Sequence, residues 1–508
     1  MLFTHSHLAL PPPTSERGYN VQYPAIQWLN ADILLTIFDC YRLDVNNGWN
    51  DQLGWCKLSH VCRRWRYLIL ESAFYLGIHI LCTNDTPTVD TLDHLPPLPL
   101  FVFYVLRGEG ELGILCHALQ LHDRVWHLDL DLCLLPSILD KALRLMDKPF
   151  PILESLYLSL INDGTTSVAL PLTFLVPKLR HLSLLGIRLS KRLRLLSSMT
   201  SLITLQLSNI QASGYFHPRL LVARLESLPQ LEKLSIEFSV PIPRPSTEGV
   251  LLGKHGTPRM LSNLKSLTFR GVSAYLEGIV SQIRASILER LDIVLFNQLA
   301  FRLPYLSHFI SITEQIKFPG TAAVSFVWRD SIILRHRIVG RSLFSSHEPF
   351  ILRVMCQPLD WQIDCATQIC NALMSVLTVE KLSIKYHLSQ FEPRGFGRGL
   401  TNMDDIDSTT WHELLRSFIG VEELCVDPRL SEELSRALEA VDIGHDPGFL
   451  PNLQEIVCES REDHSHSLFR AFIHARQVAG RPVSFRLPFS PTMVFDTHSI
   501  SSRKSSVF

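Results

Sequence analysis

Residues 179–184 read Leu179-Arg180-His181-Leu182-Ser183-Leu184, and this apolar-x-x-apolar-x-apolar phrase recurs on both sides. Upstream it stands at Val125–Leu130 and Leu153–Leu158. Downstream it stands at Leu202–Leu207, Leu231–Ile236, Leu264–Phe269 and Leu288–Ile293. The seven starts are 28, 26, 23, 29, 33 and 24 residues apart. Three more copies follow at Val379–Ile384, Val421–Val426 and Leu453–Cys458. The alternation that ends each phrase is that of a half-buried strand. One strand and one return segment cannot bury their apolar face alone, so neighbours must stack. Helix-like stretches such as Arg188–Met199 and Ala274–Ser286 lie between the strands. The pattern predicts an α/β chain, a curved solenoid with a parallel sheet on its concave side.

The spacing is that of leucine-rich repeats, with some long members. It lapses between 294 and 378, where only Ala323–Trp328 and Phe350–Cys356 read as strands, so degenerate repeats and an insertion both fit. Past 460, Leu468–Ala479 reads as an amphipathic helix and Pro482–Leu487 as a last strand capping the stack. The organisation expected is a disordered segment at 1–24, a helical unit at 25–80, the repeat solenoid at 81–489 (irregular at 294–378), and a polar, disordered tail at 490–508.

Composition narrows the function classes. The chain has 508 residues, 46% of them hydrophobic, enough for a sizeable core, and a formal net charge of −1. A near-neutral total argues against a polyanion partner, and neither nucleic acid nor membrane is expected to bind. The eleven cysteines form no C-x-x-C pair, which points to buried free thiols rather than a metal site. The start of the chain lacks the early cations and apolar core of a signal peptide. No uncharged apolar run reaches the roughly 20 residues of a membrane helix. An intracellular protein of the cytoplasm or nucleus is expected.

In the helical unit, Ile26, Leu29, Ile33, Leu34, Ile37 and Phe38 recur at three and four, the spacing of one helix face. After a polar loop around Asn46–Asn50, a second amphipathic stretch carries Leu58, Val61, Cys62, Trp65, Leu68 and Ile69, interleaved with Arg63, Arg64 and Arg66. This stretch, and above all the run Val61-Cys62-Arg63-Arg64-Trp65-Arg66, resembles an F-box. The family pattern opens on Leu-Pro, where this chain has Leu29-Asn30, and the spacer between Leu43 and Leu53 is longer here. The resemblance implies that Leu29, Ile33, Leu34, Ile37, Leu58, Val61, Cys62 and Trp65 dock on a Skp-type adaptor and, through it, on a cullin. The whole chain is similar to fungal F-box proteins with degenerate leucine-rich repeats, a likeness carried by the repeated strands and the closing segment His474–Phe485, "HARQVAGRPVSF". The function implied is substrate recognition for a cullin–RING ubiquitin ligase, with an unknown protein substrate on the solenoid. The competing reading is a protein-interaction scaffold whose F-box has decayed.

Alternation along each strand displays the residues between the apolar positions. Those expected to meet a substrate are Tyr157, His181, Gln206, Lys233, Arg270, Arg290, Lys381, Lys385, Glu423, Asp427, Glu455 and Glu459. Charge is uneven along the chain. Residues 178–341 hold 22 Lys+Arg against 9 Asp+Glu, and residues 404–463 hold 4 against 16. Either the two regions steer a bipolar partner, or the two ends of the arc compensate each other or are simply solvated.

No catalytic residue, cofactor or metal is expected: P-loop, G-x-S-x-G and H-E-x-x-H patterns are absent. One motif suggests an enzyme. Gly108–Gly113 fits G-x-G-x-x-G after the apolar run Phe101–Leu106, with Asp129 about twenty residues on, as in a dinucleotide-binding unit. Glu109 and Glu111 within that loop would repel a pyrophosphate. A tight turn into the first repeat is the simpler reading.

Overall fold

The computed structural model describes residues 29–45, 54–73, 75–84, 88–105, 112–131, 142–160, 170–171, 174–189, 195–241, 258–317, 320–327, 331–338, 348–356, 359–373, 379–387, 408–441, 446, 448–458 and 464–487. The expected disordered ends at 1–24 and 490–508 and the residues Gly108–Glu111 lie outside this set. The chain divides into two units: residues up to Leu81 with His94–Pro99, and Cys82–Asp93 with everything from Leu100 on.

The first unit holds α1 (Ala31–Val45), α2 (Gly54–Ser59) and α3 (Arg63–Glu71). Asn30 is why α1 begins where it does: its side-chain oxygen accepts the Ile33 N–H at 2.8 Å, an N-cap that satisfies one of the helix's orphan donors. Leu34 and Phe38 on α1 and Trp65 and Ile69 on α3 are buried. Phe38 meets Trp65 edge to face with ring centroids 4.9 Å apart. The basic run is partly structural. The Arg64 guanidinium donates to the Leu29 carbonyl, and Arg66 Nε donates to the Ser59 carbonyl at 3.1 Å.

The second unit is built on one long sheet. From Leu100 on its strands are β1 (Leu100–Val105), β2 (Val125–Asp131), β3 (Ser155–Ser159), β4 (His181–Leu185), β5 (Thr204–Ile210), β6 (Lys233–Phe238), β7 (Ser266–Gly271), β8 (Arg290–Phe296), β9 (Gly320–Val327), β10 (Ser331–Ile338), β11 (Phe350–Met355), β12 (Val379–His387), β13 (Glu423–Val426), β14 (Glu455–Cys458) and β15 (Ser484–Arg486). Neighbours run in chain order and parallel from β1 to β8 and again from β12 to β15. The fold is thus mixed α/β with a large, mostly parallel sheet.

The repeated phrase explains this order. Its first apolar residue, at Val125, Leu153, Leu179, Leu202, Leu231, Leu264 and Leu288, is buried at or just ahead of the start of each strand. The other two stack in register as rows, Leu128-Leu156-Leu182-Leu205-Leu234-Leu267-Leu291 and Leu130-Leu158-Leu184-Leu207-Ile236-Phe269-Ile293. Each buried side chain stabilises by about 1.5–3 kcal/mol, and only the neighbouring repeat can supply the cover. Backbone bonds repeat as well. The carbonyls of Glu154, Arg180, Ile203, Glu232 and Lys265 each accept two consecutive N–H groups from the next strand's start. At Gly186 the chain turns with φ +72°, and a Cβ there would run into the Leu160 carbonyl oxygen. Only glycine fits.

Return segments vary in length along the chain. Helices α4 (Leu112–Gln120), α5 (Pro218–Leu225), α6 (Ser273–Val280), α7 (Pro304–Ser311), α8 (Leu359–Leu373), α9 (Ser408–Arg416), α10 (Ser431–Glu439) and α11 (His464–Val478) fill them. The helix expected over Arg188–Met199 is absent from its described part, which ends in a single 3₁₀ turn at 195–198. The stretch Ala274–Ser286 divides into α6 and a two-residue strand, Ile283–Arg284, paired with Arg259–Met260.

Between 294 and 378 the sheet continues with its order changed: β8, β11, β10, β9, β12. Strand β10, which the sequence pattern does not announce, runs antiparallel to both neighbours, so β9, β10 and β11 form a meander. Strands β11 and β9 keep the parallel direction toward β8 and β12. Strands β8, β9, β11 and β12 start at 290, 320, 350 and 379, intervals of 30, 30 and 29 residues. The period therefore survives where the phrase fails. Strand β10 does in extended form, within the sheet, what a helix does elsewhere: it carries the chain back to the start of the next strand. Its buried Ile332-Ile333-Leu334 run lacks the alternation of the other strands.

Candidate functional site

The described residues expected to meet a substrate lie on or beside one sheet but not in one place. Tyr157, Ser183 and Gln206 follow one another across a row from β3 to β5. Tyr157 is exposed, and Gln206 donates to Ser208 Oγ at 3.3 Å. His181 shares the next row with Thr204 and Lys233, its Nδ1 lying 3.2 Å from Thr204 Oγ1. Burial, then the nearby Arg180 and Lys233, holds the His181 imidazole below its ordinary pKa, favouring the neutral ring. Lys233 is exposed, and Arg290 is half-buried at the start of β8. Arg270 is half-buried and lies over its neighbours on the same face: its guanidinium carbon sits 5.8 Å from the Phe296 ring centre, and Nη2 approaches Met355 Sδ at 3.7 Å.

At the far end the acidic positions have cations close by, though not from residues 178–341. Lys381 Nζ lies 2.6 Å from Glu423 Oε1, and Arg486 reaches Glu455 at 2.9 Å and Glu423 at 3.5 Å. Burial pushes the Glu423 carboxyl up, but the Lys381 hydrogen bond and the two cations outweigh it, and the group is held below its usual range. These carboxylates already have cations on adjacent strands. Arg486, absent from the residues expected to matter, holds two of them, and reading β15 as a mere cap hides it. Asp427 is structural: it accepts the N–H groups of Arg429 at 3.0 Å and Tyr386 at 3.3 Å, capping the turn after β13. Lys385 is half-buried on β12, and Glu459 lies outside the described residues.

A second group is one that sequence reasoning does not gather. Outward residues of β1, β2 and β3 form rows Phe101-His127-Ser155 and Phe103-Asp129-Tyr157, with Asp131 between Val105 and Ser159. Phe101 stacks on His127, centroids 3.9 Å apart and planes 9° apart, and His127 lies 5.3 Å from Tyr157. The signal is present in the alternation of Leu100-Phe101-Val102-Phe103-Tyr104-Val105. Reading that run as the lead-in to a glycine motif, not as a repeat strand, conceals it.

In the first unit, Ile33, Ile37 and Val61 are exposed, at 47%, 39% and 59%. Cys62 is exposed, Leu29 and Leu58 are half-buried, and Leu34 and Trp65 belong to the unit's own core. A partner can therefore touch Ile33, Ile37 and Val61, whereas Leu34 and Trp65 can act only by shaping that face.

Strand β2 sits directly beside β1, with Asp129 mid-strand opposite Phe103. The order β1 to β8 runs one way, without the reversal at which a doubly wound sheet opens its dinucleotide crevice. Among the described residues, no group of three His, Cys, Asp or Glu could hold a metal ion, no helix is long and apolar enough to cross a membrane, and nine of the cysteines are free thiols.

No family model matches the chain, and no curated protein matches it. Among solved structures it is similar to the leucine-rich repeat-containing protein LegL7 from Legionella pneumophila, at 16% identity, over 65% of this chain and 93% of that one, with a TM-score of 0.26. The repeat architecture rests on this chain's own sheet and helices.

Proposed function

We propose that the chain is a non-catalytic protein-interaction scaffold serving as the substrate-recognition subunit of a Skp–cullin–F-box ubiquitin ligase. The observation that carries the reading is the helical unit whose F-box-like residues divide into a closed core and an uncovered apolar set. Phe38 and Trp65 seal the core. Ile33 and Ile37, one turn apart on α1, and Val61 after α2 face outward. A unit this small has little apolar surface to spare, so leaving three aliphatic side chains uncovered suits a partner. Asn30 supports the reading, because its cap starts α1 where the resemblance expects Leu-Pro. The repeat sheet would hold a protein substrate, and catalysis would come from proximity to a charged ubiquitin carrier bound elsewhere on the ligase. Cytoplasm or nucleus is where such a ligase would act.

Co-expression with a Skp-type adaptor tests this. The intact chain should co-purify with the adaptor. A variant with Ile33→Asp and Ile37→Asp should lose it while melting like the parent, because both side chains are exposed. Leu34 and Trp65 are unsuitable targets, since replacing either opens the core. An intact, folded chain that captures no adaptor would sink the ligase reading and leave the scaffold with a decayed F-box.

A further inference from the structure

Nine side chains point outward from β1, β2 and β3: Phe101, Phe103, Val105, His127, Asp129, Asp131, Ser155, Tyr157 and Ser159. None is Lys or Arg, and two are carboxylates. On β12 to β15, in contrast to Asp129, Glu423 and Glu455 have Lys381 and Arg486 beside them. Asp129 makes no hydrogen bond or ion pair with a described residue, and it sits in one row between Phe103 and Tyr157, which are 38% and 36% exposed. Strands are about 4.8 Å apart, so the two rings flank the carboxylate within the reach of one long side chain. Burial and then the charge of Asp131 push the Asp129 carboxyl above its ordinary pKa. Its ionised form is therefore under-compensated in the free protein.

We propose that the Phe103-Asp129-Tyr157 row is the seat for an arginine or lysine side chain in a basic segment of a protein partner. A guanidinium or ammonium laid there would meet the ring faces through cation–π attraction and Asp129 through charge. It would supply the cation that the neighbouring strands do not. The apolar stem of the same side chain would lie along Phe101 and the His127 ring stacked on it. Charge selects this occupant: an acidic segment would be repelled by Asp129 and Asp131, and a purely apolar one would strand Asp129 without water. The inference rests on the sheet being an interaction surface, and it names the partner's chemistry.

The test uses the purified full-length chain and a fluorescein-labelled peptide of alternating arginine and glycine, read by anisotropy. A matched peptide with citrulline for arginine keeps the shape and removes the charge. The arginine peptide should bind, and the citrulline peptide should bind about tenfold more weakly. Asp129→Asn and Tyr157→Ala should each weaken arginine-peptide binding by about threefold or more, the range expected for one cation–π or charge contact. Glu423→Gln with Glu455→Gln should change nothing. Asp129→Asn is nearly isosteric and should melt at or above the parent temperature, which separates lost binding from lost fold. Equal binding of the two peptides would make the site merely apolar and overturn the proposal, as would indifference to both variants or no binding at all. Adaptor co-purification is scored in parallel. Adaptor retained with no peptide binding sinks this inference alone, and the reverse pattern sinks the ligase reading alone.

Discussion

Glu277 lies on α6 with 6% of its surface exposed, and its two carboxylate oxygens accept the N–H groups of Tyr305 and Leu306, each at 2.8 Å. Those donors open α7, which has no side-chain cap of its own. One repeat thus caps the helix of the next, a bond no local sequence rule could reveal because its partners are 28 and 29 residues apart. Burial pushes this carboxyl up to about 7, against the pull of the two N–H groups. The sign follows. Below about pH 4.5 the group is neutral whether the chain is folded or unfolded. Between there and about 7 the folded chain holds a proton that the unfolded chain has lost, and this stabilising contribution disappears as pH rises through about 7. The window is worth on the order of 3 kcal/mol. Melting temperature followed from pH 5 to 8 should fall more steeply for the parent than for Glu277→Gln, and parallel curves would refute the assignment.

The last helix, α11, shows how an element is anchored. Arg476 is 1% exposed, with no carboxylate in its hydrogen-bond set. Its guanidinium donates to the Phe449 carbonyl at 3.5 Å and the Leu453 carbonyl at 3.2 Å, tying α11 to the turn that leads into β14. Gly480, with φ +74°, then ends the helix, and Arg481 N–H closes back on the Arg476 carbonyl at 2.9 Å. Arg476→Ala should remove both bonds and open a cavity, at a cost of about 2–4 kcal/mol. Hydrogen exchange should locate the loss in α11 and at Ser484–Arg486, and an unchanged exchange pattern there would contradict it. The closing segment is legible as a motif, but its arginine is not legible as a buried anchor. Strands with the full phrase are legible because three apolar residues at fixed spacing leave one register. Strand β10 is not, because a strand buried on both faces loses the alternation that marks strands. The outward face of the sheet is half legible. Alternation puts Tyr157 and Glu423 on the outer face, but knowing which residues face outward does not say which have cations across the strand gap.

Across the whole molecule, the regional imbalance of charge remains, yet Lys381 and Arg486 neutralise the acidic outward positions of β13 and β14 at close range. Asp129, which has no such cation among the described residues, is at the opposite end of the sheet, where the regional totals give no hint of it. The reversed strand bears on the order in which the chain finds its shape. Strands β9 and β10 are separated by three residues, whereas parallel neighbours such as β3 and β4 begin 26 residues apart. Closing a short loop costs less entropy, so the meander can pair before any parallel neighbour. It then offers β11 to β8 on one side and β9 to β12 on the other, a nucleus from which the stack can grow both ways. In stopped-flow refolding, Leu334→Ala should slow folding, while Leu182→Ala, equally buried but in the parallel stack, should mainly speed unfolding. The opposite partition would place the nucleus elsewhere. A strand that breaks the pattern of the repeats is thus the place from which, in time, their order would spread.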